Sequence, residues 1–392
     1  MTGFSSRLPR ELAPNALSQA VAALRAAGEP WLDLTETNPT AVGLAYPPDA
    51  LRALADAGAL RYAPDPLGLL AARERVAADY ARRGLDVAPD RIVLTSSTSE
   101  AYGFLFKLLC DAGDAVLVPQ PSYPLFDLLT RLEGVVAQPY LLEYRGAWWI
   151  DRDSVLAALS PRTRAILVVS PNNPTGSLLR ADDRAWLDEL CERRAIAIIG
   201  DEVFADYRLS PREDGCSVLG ENRVLTFSLG GLSKSAGLPQ VKLGWIAVGG
   251  PAPAVDNALR RLEVIADTYL SVSTPVQVAA GHLIERGGVI RTAILDRLRD
   301  NLARLRTSLA AHPAVSLLEP EGGWSAVLRV PALRSEEALV LLLLERARVL
   351  VHPGYFFDFP SEAFIVISLL PDPTMFSDAL GRLLPLAQRG GD

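Results

Sequence analysis

The sequence predicts an α/β protein: a three-layer α/β/α large domain around a mostly parallel sheet, joined to a smaller α/β domain. Three observations point there. From about residue 91 to 250, short runs of β-branched and aliphatic residues alternate with helical stretches. Several of those runs are apolar at every position, as strands covered on both faces are. Beyond about residue 286 the pattern changes to longer helices and shorter strands. A chain of 392 residues that is 49% hydrophobic can bury about two such domains.

The expected strands of the large domain are "RIVLTSS" from Arg91, "AVLVPQ" from Ala115, "AILVVSP" from Ala165, "AIAIIGDEV" from Ala195, "VLTFSLG" from Val224 and "KLGWIAVGG" from Lys242. "EAYGFLFKLLCDAG" and "RADDRAWLDELCERR" carry helical spacing between them. A long helix from about Gly288 then leads to "VSLLEPEGGWSAVLRV", the helix "SEEALVLLLLERARV", the strand "EAFIVISLL" and a last helix. The expected division is residues 1–47 as a segment packing with the small domain, 48–285 as the large domain and 286–392 as the small one.

Composition removes several function classes. A net charge of −7 argues against a nucleic-acid partner, since phosphate backbones select clustered Lys and Arg. "RTAILDRLRDNLARLR" is a solvated helix face, with Leu298, Leu302, Leu305 and Leu309 at helical spacing. Three cysteines without CxxC spacing fit a reducing cytoplasm and give no thiolate metal site; three scattered histidines give no zinc site or Ser-His-Asp triad. The apolar run "ALVLLLL" is too short to span a bilayer, and the N-terminus has no signal pattern. The expectation is a soluble, cytoplasmic protein with no membrane partner.

In α/β sheets ligands bind beyond the carboxyl ends of the strands, so the polar residues there are the candidates. Ser97 and Glu100 have capping-box spacing, and the hydroxyl-rich turn Ser97–Thr98–Ser99 opens a helix, an arrangement suited to an anion. "SPNNPTG" follows a strand and, alone, is an ordinary turn around Asn173. "IIGDEV" ends a buried strand on Asp201 and Glu202; strand neighbours face opposite sides, so the two cannot share one substrate as acid and base. Tyr123 is held between Pro121 and Pro124 in "PQPSYPLF". Lys234 sits between two serines in "GGLSKSAGLPQVKLGW", with Lys242 as a second cation. Each signal is modest, and their order raises their weight.

In that order the residues resemble the class I/II pyridoxal-phosphate-dependent aminotransferases of fold type I, on the trio "SPNNPTG", "DEVFADY" and "GLSKSAGLP". The resemblance spans nearly the whole chain, from "RYAPDPLG" to "EAFIVISLL". It implies pyridoxal 5'-phosphate as cofactor and Lys234 as the amine that anchors its aldehyde and then moves the substrate proton. Asp201 would pair with the protonated ring nitrogen, Asn173 would bond the ring hydroxyl oxygen and Tyr123 would stack on the ring. Ser97, Thr98, Ser99 and Lys242 would hold the phosphate. Tyr62 would reach the phosphate of a neighbouring subunit, implying a homodimer. The reaction implied is amino transfer between an amino donor and a 2-oxo acid or other carbonyl acceptor. A lyase, decarboxylase or racemase on the same scaffold is the alternative, with a non-catalytic cofactor-binding sensor behind both.

Four positions depart from the family pattern. Lys242 stands for an arginine, Gly231 for a phosphate-binding serine and Phe204 for a tyrosine whose hydroxyl reaches the ring oxygen. In "FIVISLL", Val366 takes the place of the arginine that grips the substrate carboxylate, and no arginine lies between Arg348 and Arg382. Asn38 in "TETNPT", Tyr355 in "HPGYFFDF" and Lys242 are the remaining candidates for that task, Asn38 preferred.

Overall fold

The computed structural model describes residues 3–210 and 215–390, so the outermost residues of the expected first and last segments lie outside the described range. The chain opens with α1 (Ala16–Ala27), which Asn15 caps and Gly28 ends in the left-handed region at φ 68°. The short β1 (Leu32–Asp33) and then α2 (Leu70–Arg82) follow. From there β2 (Ile92–Thr95), α3 (Thr98–Leu109), β3 (Ala115–Gln120), α4 (Phe126–Leu132), β4 (Val136–Tyr144), β5 (Trp148–Ile150) and α5 (Arg152–Ala158) succeed one another. Next come β6 (Thr163–Val169), α6 (Ala181–Arg194), β7 (Ala197–Asp201), β8 (Thr226–Gly231), the single turn α7 (Leu232–Ser235) and β9 (Gly244–Gly249). Two helices, α8 (Ala252–Tyr269) and α9 (Thr274–Leu309), lead into the C-terminal part. That part holds β10 (Ser316–Leu318), β11 (Ser325–Arg329), α10 (Glu336–Leu342), β12 (Val349–Leu350), β13 (His352–Pro353), β14 (Phe364–Ser368) and α11 (Pro373–Ala387).

The central sheet has eight strands in the order β2-β9-β8-β7-β6-β3-β4-β5. Neighbours from β8 through β4 are parallel, whereas β9 and β5 pair antiparallel. Side chains alternate between faces, so each strand feeds two cores. Val93, Leu167, Ile199, Leu229 and Ile246 pack with Leu105 of α3 and Leu262 of α8 on one side. Ile166, Val168 and Ile198 meet Leu187 and Leu190 of α6 on the other. This double covering explains the uninterrupted apolar runs and yields the expected three layers.

The small sheet runs β10-β11-β14-β13, all antiparallel. The N-terminal segment is tied to this end of the chain, because β1 pairs in parallel with β12. Helix α9 is 36 residues long and starts at Thr274, well before the Gly288 expected from sequence. The expected 285/286 division falls inside it. Gly287 and Gly288 resemble punctuation, yet a Cβ on Gly287 would lie 2.3 Å from Ala236 Cβ, so close packing on α7 accounts for that glycine. "SEEALVLLLLERARV" divides as well: α10 loosens into a π-turn over Leu343–Ala347 and stops at Arg348, φ 56°. No helix among the described residues is long and apolar enough to cross a membrane.

Candidate active site

Strand register gathers the motifs. Gly244 lies beside both Thr95 and Gly231, and Asp201 lies between Val169 and Leu229. Lys234 follows β8 by three residues, so it stands next to the strand that ends in Asp201. A Cβ on Gly244 would come within 3.0 Å of the Ser97 carbonyl carbon and 3.2 Å of Thr98 N, so only glycine lets β9 approach the start of α3 this closely.

Ser97 caps α3 as expected: its Oγ accepts the Glu100 N–H at 3.2 Å. The return bond differs from a standard box, for the Glu100 carboxylate accepts the Ser96 N–H at 2.7 Å and the Ser271 hydroxyl at 2.7 Å. The Ser97 oxygen thus accepts the cap bond while its hydroxyl proton is still able to donate. An anion is offered the first-turn N–H groups, the Ser97, Thr98 and Ser99 hydroxyls and the helix dipole. Gly231, at the same edge, has no side chain to contribute, and a Cβ there would crowd the Leu243 carbonyl at 3.1 Å.

Asp201 and Glu202 part as strand geometry requires. Glu202 is buried and accepts Ser217 Oγ at 2.7 Å, Val218 N–H at 2.7 Å and Ser228 Oγ at 2.8 Å, a fully satisfied structural carboxylate. Asp201 is also buried, and its Oδ2 accepts the Tyr102 hydroxyl at 2.7 Å while Oδ1 accepts the Val203 N–H at 3.2 Å. Burial pushes its carboxyl pKa up, and the Tyr102 and Val203 donors and the Lys234 charge oppose that rise. No arginine or lysine among the described residues comes within ion-pair range of it.

Lys234 is part-exposed, yet protein encloses the amine closely enough to lower its pKa to about 8, with Asp201 pulling the other way. Its Nζ stands 4.7 Å from the ring centroid of Trp324 and 5.5 Å from that of Phe204, two rings in edge contact. The backbone of α7 is anchored beneath: the Lys234 carbonyl accepts the Tyr207 hydroxyl at 2.5 Å, and the Ser235 carbonyl accepts Arg291 Nη1 at 3.3 Å. Trp324, Tyr207, Arg291 and Tyr102 are contributors that sequence reasoning missed. "DEVFADY" contained Tyr207, but nothing in the pattern distinguished it or the others from core and surface residues.

The remaining expected residues divide. Tyr123 is 38% exposed, stands close enough to feel the Asp201 charge and meets Phe126 edge-on at 5.9 Å. In the asparagine loop it is Asn172 that is structural, bonding Ser122 Oγ, the Pro121 carbonyl and Thr175 Oγ1; Asn173 is part-exposed and its side chain makes no hydrogen bond among the described residues. Lys242 is exposed, in the left-handed region at φ 60°. Tyr62 is 72% exposed, free to contact another molecule. Asn38 is exposed and its Oδ1 is spent on the Thr40 N–H and hydroxyl. Tyr355 faces Glu337, whose charge makes a poor neighbour for a substrate carboxylate. Val366, only 2% exposed, sits opposite His352 and Val327 in an apolar cluster with Trp148, Phe357 and Phe359.

These groups fit a pyridoxal phosphate. A buried carboxylate and a desolvated amine, each without an ion-pair or hydrogen-bond partner of opposite charge among the described residues, and a helix start approached by Gly244 match a cationic ring nitrogen, an aldehyde and a phosphate. Fold and site together define a pyridoxal-phosphate enzyme of fold type I. The chain belongs to the family "Aminotransferase class I and II", whose profile matches residues 29–382. It is 28% identical over 383 residues to the alanine aminotransferase of Mycobacterium tuberculosis, covering 93% of this chain and 87% of that one. It is likewise 28% identical to the glutamate-pyruvate aminotransferase AlaA of Escherichia coli, over 78% of each chain. Among solved structures, the alanine aminotransferase of Pyrococcus furiosus superposes with a TM-score of 0.89 at 24% identity, covering 99% of this chain and all of that one. The protein is an aminotransferase that uses pyridoxal phosphate, acting on small-molecule amino donors and acceptors.

Proposed function

We propose that the enzyme moves an amino group between an amine donor and a 2-oxo acid or other carbonyl acceptor, and holds its substrate without the arginine grip usual in the family. Val366 carries this reading. Its side chain is buried among aromatic and aliphatic neighbours, where it binds no carboxylate. Of the alternatives, Tyr355 faces a carboxylate, whereas Asn38, whose oxygen accepts from Thr40, has amide N–H groups to offer a substrate carboxylate. Asn173 and Lys242 are the other polar side chains at the strand ends.

The roles follow from position. When bound, the cofactor supplies an electron sink for the substrate α-carbon. Lys234 anchors it and carries the proton, an amine already lowered towards neutrality by burial. Asp201 would hold the ring nitrogen, Asn173 the ring oxygen and Tyr123 the ring face. The start of α3, from Ser97 to Ser99, binds the phosphate with Lys242. The enzyme works as a homodimer in which Tyr62 reaches the neighbouring phosphate. Although two relatives are alanine and glutamate-pyruvate aminotransferases, ordinary α-amino acids bind here weakly.

Incubating the holoenzyme with single donors, and following the bound cofactor's visible band, tests this. Lasting conversion to the cofactor's amine form marks transamination, whereas a band that returns with donor alone marks a lyase. Saturation by alanine or glutamate at low concentration would overturn the expected weak binding, mean that another residue grips the carboxylate, and leave the aminotransferase assignment standing.

A further inference from the structure

Helix α3 does more than start beside the phosphate position. One turn past Thr98 it places Tyr102, a fully enclosed phenol, with its hydroxyl 2.7 Å from Asp201 Oδ2. Residues four apart share one helix face, so the N–H groups of the first turn and the Tyr102 hydroxyl belong to one rigid element. Phe126 fixes the ring, edge-on to Tyr102 at 5.5 Å and to Tyr123 at 5.9 Å. We propose that Tyr102 is a positioning residue for the cofactor: its hydroxyl holds Asp201 Oδ2 in place for the ring nitrogen, so that α3 sets the distance between phosphate and ring.

The chemistry requires a donor here. A carboxylate that faces a cationic nitrogen must stay ionised inside the protein, and among the described residues two groups donate to Asp201: the Tyr102 hydroxyl and the Val203 N–H. The charged or titratable groups whose charge or hydrogen bonding reaches it are Tyr102, Tyr123 and Lys234 and, from the other side of the strand, Glu202, of which Glu202 favours protonation and Lys234 opposes it. Tyr102 keeps its own proton, because burial and the Asp201 charge raise its pKa well above the usual phenol value. It therefore remains a donor at every working pH. Removing the hydroxyl leaves Oδ2 without a partner and makes protonation of Asp201 easier.

This inference rests on the role proposed for Asp201, and the test separates the two. Apoprotein is titrated with pyridoxal 5'-phosphate, following protein fluorescence, for wild type, Tyr102→Phe, Asp201→Asn and the double variant, from neutral to mildly acid pH. Phenylalanine keeps the ring contacts; Tyr102→Leu is the second variant should it fail to fold. Tyr102→Phe is expected to bind about 10- to 100-fold more weakly, as for loss of a hydrogen bond to a charged group. Its affinity should also begin to fall at higher pH than that of wild type. The double variant should bind no more weakly than Asp201→Asn alone. If Asp201→Asn weakens binding and Tyr102→Phe does not, or if the two losses add, the positioning role is wrong. If Asp201→Asn binds like wild type, the assignment of Asp201 itself falls, and this proposal with it.

Discussion

At Lys234 two effects act on one amine in opposite directions. Desolvation disfavours the ammonium, while the Asp201 charge and the faces of Trp324 and Phe204 favour it. Desolvation wins, and the pKa falls to about 8. In the unfolded chain a lysine titrates near ~10.4, so between about 8 and ~10.4 the unfolded state binds more protons than the folded one. Stability contributed by this group therefore rises with pH across that window, and below it the buried ammonium costs the fold its full amount. In denaturant titrations of apoprotein, Lys234→Met should be more stable than wild type at neutral pH, with the gap closing as the pH is raised through the window. A gap that widens would mean that the amine is stabilised as a cation. Phe204 offers a second test. It lies against Trp324 with centroids 5.3 Å apart and carries no hydroxyl for the cofactor's ring oxygen. Phe204→Tyr should lower the pH midpoint of the bound cofactor's visible band in a spectrophotometric titration, and an unmoved midpoint would show that this position does not govern it.

Helix α9 governs how the lysine turn is seated. Gly287 touches Ala236, and one turn later Arg291 donates to the Ser235 carbonyl while lying 3.9 Å from Asp79 and 3.8 Å from Asp206, which Arg82 also bridges. A side chain on Gly287 must displace backbone as well as a methyl group, since its Cβ would stand 3.0 Å from Ala236 Cα. Gly287→Val should therefore cost about 1–3 kcal/mol of stability and weaken cofactor binding by shifting α7. Its neighbour differs: a Cβ on Gly288 would meet only the far end of Arg291 at 3.6 Å, so Gly288→Ala should gain about 0.5–1 kcal/mol in thermal or denaturant unfolding. Equal effects at the two positions would refute the packing account. The same pair shows the limits of sequence reading. The strands were legible because burial on both faces leaves an unbroken apolar run, and the family because three motifs occur in a fixed order. A glycine that serves a contact looks the same in sequence as one that ends a helix, so α9 was expected too short. Tyr102 was illegible for a related reason: in a helix rich in Phe104, Leu105 and Phe106, an aromatic residue signals core, and only the fold brings its hydroxyl to a strand end more than ninety residues away.

At the scale of the whole molecule, the site looks incomplete from one chain. The start of α3 offers an anion backbone N–H groups and hydroxyls, Gly231 contributes no side chain, and Tyr62 stands 72% exposed. Leu60, 89% exposed, lies beside it, so this stretch leaves apolar surface uncovered that a second subunit would bury. If Tyr62 serves its neighbour's phosphate, a defect there is complemented by a partner with an intact tyrosine, even when that partner lacks its own lysine. Tyr62→Ala and Lys234→Ala chains should each be impaired alone, the second more severely, by about 10²–10⁴-fold or more from lost proton transfer. Unfolded together and refolded, they would then form mixed dimers in which one site unites Lys234 of one chain with Tyr62 of the other. With random pairing of a symmetric dimer, about one site in four is then restored, and activity should rise above the sum of the separate variants towards that fraction. Activity that stays at the sum would place Tyr62 in its own chain's site or outside the chemistry altogether.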